Sequence, residues 1–300
     1  MQRIFVTGAT GFVGHAVVRA LLHHGFLVRC LVRRGSEAAL RGFESIDRVP
    51  GDVLKPEGLA EAVEGCAAVI HLVGIIREHR ARGITFERLH PLATANMLGV
   101  AHEAGVKRYV HMSALGTRAD ARARYHRTKW EAEEVVRASA LEWTIFRPSI
   151  IYGAGDELVS TLARLVRRAP VVPVLGSGET RLQPIAVEHV AEGFVRALRA
   201  PVSVGQTYEV AGPATYRFVE LLDFIGAAIG RPRVRKVHVP LGLVSAATRA
   251  LGWLPFFPVT TDQLIMLGED NVTDPMRFYT DFGIAPESLA AGLKRMFPAP

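Results

Sequence analysis

The sequence predicts an α/β fold, a doubly wound parallel sheet followed by a smaller C-terminal α/β lobe. Two observations predict the sheet. Short β-branched runs alternate with helix-period patterns through the first half, and the first run breaks at once into a glycine-rich turn. A third predicts the lobe: after Arg147 the alternation loosens and prolines and glycines punctuate the chain.

The elements follow in order. Arg3–Thr7, Leu27–Val32, Ile46–Pro50, Ala68–Val73, Arg108–Met112 and Trp143–Arg147 are short, apolar and rich in β-branched residues, so they read as buried strands. Phe12–His24, Pro56–Glu64, Phe86–Ala104 and Tyr125–Ala138 carry helical periodicity between most of them. Strand–helix–strand crossovers make the sheet parallel and place ligands at the carboxyl ends of its strands. Further on, Pro148, Gly153, Gly155, Pro170, Pro173, Gly176 and Gly178 interrupt the pattern, and helices are expected at Val187–Ala200 and Phe218–Ile229. The expected division is a first domain over residues 1–150 and a lobe over 151–300, with some lobe segments returning to the first domain.

Composition bounds the function. With 49% hydrophobic residues in 300, the chain supports a sizeable core. Cys30 and Cys66 are too few for a disulfide framework, which points to a reducing compartment. The first strand follows Met1 almost directly, so no leader and a cytoplasmic location are expected. The apolar stretch Val237–Val259 is broken by Pro240, Arg249, Pro255 and Pro258, which makes it a poor membrane span. A net charge of +7 comes mainly from arginine, yet no nucleic-acid module accompanies it. It reads as a solvated basic surface, with a phosphorylated cofactor as the local exception.

The first strand runs into Thr7-Gly8-Ala9-Thr10-Gly11-Phe12-Val13-Gly14. Gly8 permits the tight turn, Gly11 lets a pyrophosphate approach the backbone, and Gly14 lets the helix pack on the strand. Thr10, Phe12 and Val13 complete the cradle at the helix N-terminus, where a dinucleotide's pyrophosphate belongs. Sites that prefer NAD place an acid at the end of the second strand, to hold the ribose hydroxyls. Here that strand ends in Arg33-Arg34-Gly35, with no acid before Glu37. A guanidinium suits a 2′-phosphate, so NADP(H) is expected over NAD(H), held by Arg33 with Arg34 beside it.

Tyr125 and Lys129 stand four residues apart on one predicted helix face. An ammonium beside a phenol stabilises phenolate and lowers the tyrosine pKa, so the pair is expected to exchange a proton with a carbonyl or alcohol. No cluster has zinc-ligand spacing, and no Ser/His/Asp order suggests a hydrolase.

These motifs resemble the short-chain dehydrogenase/reductase superfamily, in its extended or atypical branch of epimerase/dehydratase-like proteins. TGATGFVG, the YHRTK that opens at Tyr125 and the RPSIIYG that opens at Arg147 are similar to its fingerprints. The resemblance implies that Asp52 and Val53 flank the adenine, and that Val73 and Gly74 line the ribose. It also implies that Lys129 binds the nicotinamide ribose and that the backbone of Ser149, Ile150 and Ile151 touches the nicotinamide. Two positions depart from the pattern. Ala114 stands where extended members carry a catalytic Ser or Thr, with Ser113 one residue early, and His90 stands where many carry Asn. HLVGIIRE, GVKRYVHMSALG, QPIAVEHVAEG and TTDQLIMLGEDNV carry the resemblance along nearly the whole chain. They resemble bacterial relatives of the NADPH-binding accessory subunit of mitochondrial complex I.

Three functions are consistent with these readings. The first is an NADPH-dependent oxidoreductase acting on a carbonyl or quinone-like small molecule, with Tyr125, Lys129 and Ser113 as its candidate catalytic residues. The second is a non-catalytic NADPH-binding module, with peripheral membrane or respiratory-complex association left open. The third is a sugar-nucleotide epimerase or dehydratase, which Arg33 and Ala114 disfavour.

Overall fold

The computed structural model describes residues 1–242 and 260–298. These form two compact units: Met1–Pro148 with Val187–Val210 and Met276–Ile284, and Ser149–Ala186 with Ala211–Pro275 and Ala285–Pro300.

The first unit is built on a seven-stranded sheet. Its strands are β1 (Arg3–Thr7), β2 (Leu27–Val32), β3 (Ile46–Pro50), β4 (Ala68–His71), β5 (Arg108–Met112), β6 (Glu142–Pro148) and β11 (Gln206–Val210). They lie in the order β11-β6-β5-β4-β1-β2-β3 and pair in parallel throughout. Helices α1 (Phe12–His23) and α6 (Val187–Ala197) pack together. On the opposite face α2 (Leu59–Val63), α3 (Ala93–Glu103) and α4 (Arg124–Arg137) cover a core that includes Phe5, Val69, Met97, Val106, Tyr109 and Ile145. α9 (Met276–Phe282) adds Phe278 and Phe282 beside Phe146.

One element ends short of expectation and another is irregular. β4 stops at His71, and the chain from Leu72 to Gly74 leaves the sheet as a loop. The helix expected over Phe86–Ala104 runs from Phe86 to Glu103 and carries a π-turn, Arg88–Leu92, before α3. Pro91 inside that turn lacks an N–H and crowds the carbonyl four residues back, which favours the wider turn. The seventh strand, β11, was not expected at all.

The second unit holds three two-stranded ribbons: β7 (Ile151–Tyr152) with β10 (Ile185–Ala186), β8 (Val172–Leu175) with β13 (Lys236–Val239), and β9 (Arg181–Leu182) with β12 (Tyr216–Arg217). Helices α5 (Leu158–Arg168), α7 (Phe218–Ala228) and α10 (Leu289–Met296) surround a core of Tyr152, Val159, Leu221, Ile225 and Leu293. Helix α8 (Thr261–Leu267) opens with a capping box in which the Thr260 hydroxyl accepts from the Gln263 amide. Among the described residues no helix is long and apolar enough to cross a membrane. Most of Val237–Val259 lies outside the described residues.

Candidate active site

The glycine turn at the end of β1 separates its three glycines by what each must avoid. Gly8 has a φ of 75°, and a β-carbon there would stand 3.0 Å from the Leu72 carbonyl carbon. At Gly14 a β-carbon would fall 2.2 Å from the Gly8 oxygen, so only glycine lets α1 close on the turn. Gly11 is exposed, and its β-carbon would meet only the Gly8 oxygen, at 3.3 Å. That oxygen would have to give by a few tenths of an ångström, a smaller demand than at Gly8 or Gly14. Gly11 is also the N-cap of α1, with no side-chain cap and no acid in the first turn. The leading amides of Phe12, Val13 and Gly14 are therefore left for an anion, and this cradle fits a pyrophosphate. Thr10 and Phe12 flank it half-buried and Val13 is buried.

At the ends of β2 and β3, Arg33, Arg34, Ser36, Asp52, Lys55 and Glu57 line a cleft of about 570 Å³. Arg33 and Arg34 leave the end of β2, while Asp52 follows β3 and its carbonyl accepts from the Lys55 amide at 2.8 Å. The next residue, Val53, is buried and its carbonyl accepts from Asn96 Nδ2 at 2.8 Å, which ties the loop to α3. Lys55 is a third cation in this cleft. Sequence reasoning missed it because the turn that brings it back against Asp52 has no sequence signature.

The reacting end lies at the carboxyl ends of β4 and β5. Lys129 Nζ donates to the Met112 carbonyl, the last of β5, at 3.0 Å. A β-carbon on Gly74 would stand 2.8 Å from that Nζ, so exposed Gly74 lies directly against the buried ammonium. Val73 is half-buried beside it. Burial pulls the Lys129 pKa down to about 8 and Glu133 opposes the shift. Glu133 is itself fully buried and gripped by Arg147, with bonds of 2.8 and 2.6 Å.

Tyr125 packs edge-on against Phe86 and His90, with centroids 5.9 and 5.5 Å away. Here one expectation is corrected. The phenol pKa is not depressed by Lys129; burial raises it to about 12. Burial is the cause of that shift, and it keeps the phenol protonated in the resting site.

His90 spans three elements from its place in the π-turn. Nδ1 lies 2.8 Å from Thr128 Oγ1 on α4, and Nε2 lies 3.2 Å from the Ile75 carbonyl. Burial and then Lys129 drive its pKa down to about 2. His71 sits behind the site, with Nδ1 2.8 Å from Thr7 Oγ1 and its ring stacked on His111 at 5.6 Å. Burial lowers both, His71 to about 3. Three neutral imidazoles thus surround one ammonium. The strand register that stacks His71 on His111 is invisible in the sequence.

Ser113 is buried, and its hydroxyl donates to Thr117 Oγ1 at 3.3 Å. Thr117 is a second hydroxyl that sequence reasoning missed, and Ala114 leaves its position without one. Ser149, Ile150 and Ile151 belong to the second unit, where Ser149 Oγ donates to the Gln183 carbonyl and Ile151 pairs with Ile185. Both cysteines are buried free thiols, and burial pushes Cys30 up to about 12. No metal-holding cluster exists among the described residues.

A family model described as NAD(P)H-binding matches residues 8–201. The alpha subcomplex subunit 9 of mitochondrial NADH dehydrogenase [ubiquinone] 1 from Arabidopsis thaliana is 31% identical over 95% of this chain and 74% of its own length. The ceramide reductase of Caulobacter vibrioides is also 31% identical, over 83% of this chain and 78% of its own. The structure of UDP-glucose 4-epimerase from Thermotoga maritima superposes with a TM-score of 0.76 at 17% identity, covering 99% of this chain and 97% of that one. That last likeness concerns the fold alone.

Proposed function

Because the chain belongs to the NAD(P)H-binding family, with a short-chain dehydrogenase/reductase fold, we propose that it is an NADPH-dependent reductase of a hydrophobic carbonyl or quinone-like compound. One observation carries this reading. The uncapped glycine turn and the Tyr125–Lys129 pair both lie at the carboxyl ends of the strands of one sheet, in one compact unit. When bound, reduced nicotinamide supplies the hydride. Tyr125, protonated at working pH, donates its phenolic proton to the substrate oxygen as the carbonyl carbon is reduced. The Lys129 ammonium, cationic below about pH 8, holds the ribose hydroxyls and steadies the phenolate left behind. Asp52, Val53, Val73 and Gly74 wall the adenine and ribose, and the backbone of Ser149, Ile150 and Ile151 is assigned to the nicotinamide. Arg33, supported by Arg34 and Lys55, takes the 2′-phosphate and sets the preference for NADP(H). A lipid-like substrate is favoured by the 31% identity to a protein named ceramide reductase.

A second reading, an NADPH-binding module without turnover, is favoured by Ala114 and by the Ser113 hydroxyl being engaged with Thr117. It would give the protein a role in a respiratory assembly like that of its subunit 9 relatives. Single-turnover oxidation of NADPH against a panel of long-chain ketones and quinones separates the two. The reductase reading expects oxidation by the wild type and none by Tyr125→Phe, with cofactor affinity unchanged. Equal rates in both proteins would remove Tyr125 from the chemistry. No oxidation of any substrate would leave the binding module.

A further inference from the structure

The second unit carries a basic, partly apolar face that the chemistry above does not use. α5 buries Val159, Ala163 and Val166 and leaves Arg164, Arg167 and Arg168 exposed. Positions three and four apart share a helix face, so these guanidinium groups stand together. The end of α5 meets the segment leading into β13, where Arg231 donates to the Arg167 and Ala169 carbonyls at 3.1 and 3.3 Å. Arg233 and Arg235 line the crevice formed there with Ala169 and Pro170, and both are exposed.

Arg124, Arg147, Arg217 and Arg295 each meet a glutamate, and even Lys236 in β13 is neutralised by Asp223. Among the described residues the five exposed arginines of this face meet no carboxylate, and Arg164 has only the Thr161 hydroxyl. The β8–β13 ribbon extends the same side. Val172 and Val174 turn into the core, while Val171 and Val237 are left 40% and 49% exposed. A cluster of like charges repels itself until an anionic layer covers it. Exposed valines beside the charges suit a layer with an apolar interior, whereas a single-stranded nucleic acid would be met by aromatic rings for base stacking.

We infer that this face docks on an anionic lipid bilayer, its guanidinium groups on headgroup phosphates and its valines at the interface. Docking requires no turnover and stands apart from the proposed reductase activity.

The test is sedimentation of the full chain with vesicles of equal parts phosphatidylglycerol and phosphatidylcholine, and with phosphatidylcholine alone. The wild type is expected to bind only the anionic vesicles and to weaken as salt rises. Each basic residue near such a surface contributes roughly a fivefold factor. The variant Arg167→Gln/Arg168→Gln/Arg233→Gln should therefore lose about a hundredfold in vesicle affinity. Arg41→Gln/Arg82→Gln/Arg122→Gln removes the same charge from exposed sites of the first unit and should bind like the wild type. Thermal melts of both variants check that they fold. An equal loss in the two variants would reduce the effect to net charge and overturn the assignment. Undiminished binding to phosphatidylcholine alone would overturn it too, as would no binding to either vesicle. Tighter binding of a single-stranded oligonucleotide than of anionic vesicles, lost in the first variant, would give the face to nucleic acid instead.

Discussion

Two buried cations stand at opposite ends of β5, and they are bonded very differently. Arg108, at its start, donates to Thr144 Oγ1 at 2.6 Å, to the Ala197 carbonyl and Ser203 Oγ at 2.9 Å each, and to the Glu142 carbonyl. Lys129, at its end, makes a single hydrogen bond among the described residues, to the Met112 carbonyl. Both are desolvated, and burial lowers Arg108 to about 10 and Lys129 to about 8. The saturated cation is a fastener that joins β5, β6 and the end of α6. The under-bonded one has donors left over against Gly74, and a buried charge with spare donors is an arrangement built for a ligand. The difference supports the proposed site at the carboxyl edge of the sheet without reference to any motif.

The largest expected effect comes from breaking the saturated end. Arg108→Met strands several buried acceptors and should destabilise the protein by about 3–5 kcal/mol in urea unfolding. A loss below about 1 kcal/mol would mean that the four bonds are incidental and that bonding does not distinguish the two cations.

Acid should act on the other end. His71 and His90 are held neutral, with pKa values of about 3 and 2, against an ordinary value of 6.5. Unfolded histidines take up protons as pH falls through 6.5 while the native rings refuse them, so native stability falls as pH drops from there toward 3. Each such ring contributes up to about 1.4 kcal/mol per pH unit in that window. Urea midpoints measured between these limits should fall steadily, and His111→Phe should give a shallower slope. An unchanged slope would show that His111 is not held neutral beside Lys129.

Next comes the cleft lined by Arg33, Arg34 and Lys55, whose exposed cations contrast with both buried ones. Arg33→Ala should weaken NADPH by about 1.5–3 kcal/mol and leave NADH nearly untouched, read by calorimetric titration. Lys55→Ala should act in the same direction and by less. Equal wild-type affinities for the two cofactors would remove the 2′-phosphate from this account.

Much of the frame was legible because it rests on local rules. β1, β2, β3 and β5 span the residues that their β-branched runs mark, and α4 begins one residue before Tyr125. The glycine turn and the Tyr125–Lys129 pair were likewise legible, being fixed by short spacing. What stayed hidden depends on contacts between distant segments. β11 alternates polar and apolar residues over only Gln206–Val210 and becomes a strand by pairing with β6. Only the fold shows that the π-turn containing Pro91 brings His90 against Thr128. The phenol's pKa was misjudged for a related reason: spacing shows that two side chains share a face, but how deeply their packing buries them is a tertiary property.

The most direct test joins the two ends of β5 in one variant, Lys129→Met. Removing a desolvated ammonium should stabilise the fold by about 1–3 kcal/mol at neutral pH, because the wild type carries that burial penalty whenever Lys129 is protonated. The same change should weaken NADPH at least about tenfold, since a charge-assisted contact to the cofactor is lost. In the wild type, NADPH affinity should fall as pH rises through about 8, and the variant should lack that dependence. A higher melting temperature together with weaker, pH-independent NADPH binding is the predicted result. A destabilised variant that binds NADPH like the wild type would mean that Lys129 is a fastener like Arg108, and would contradict the assignment of this edge of the sheet as the active site.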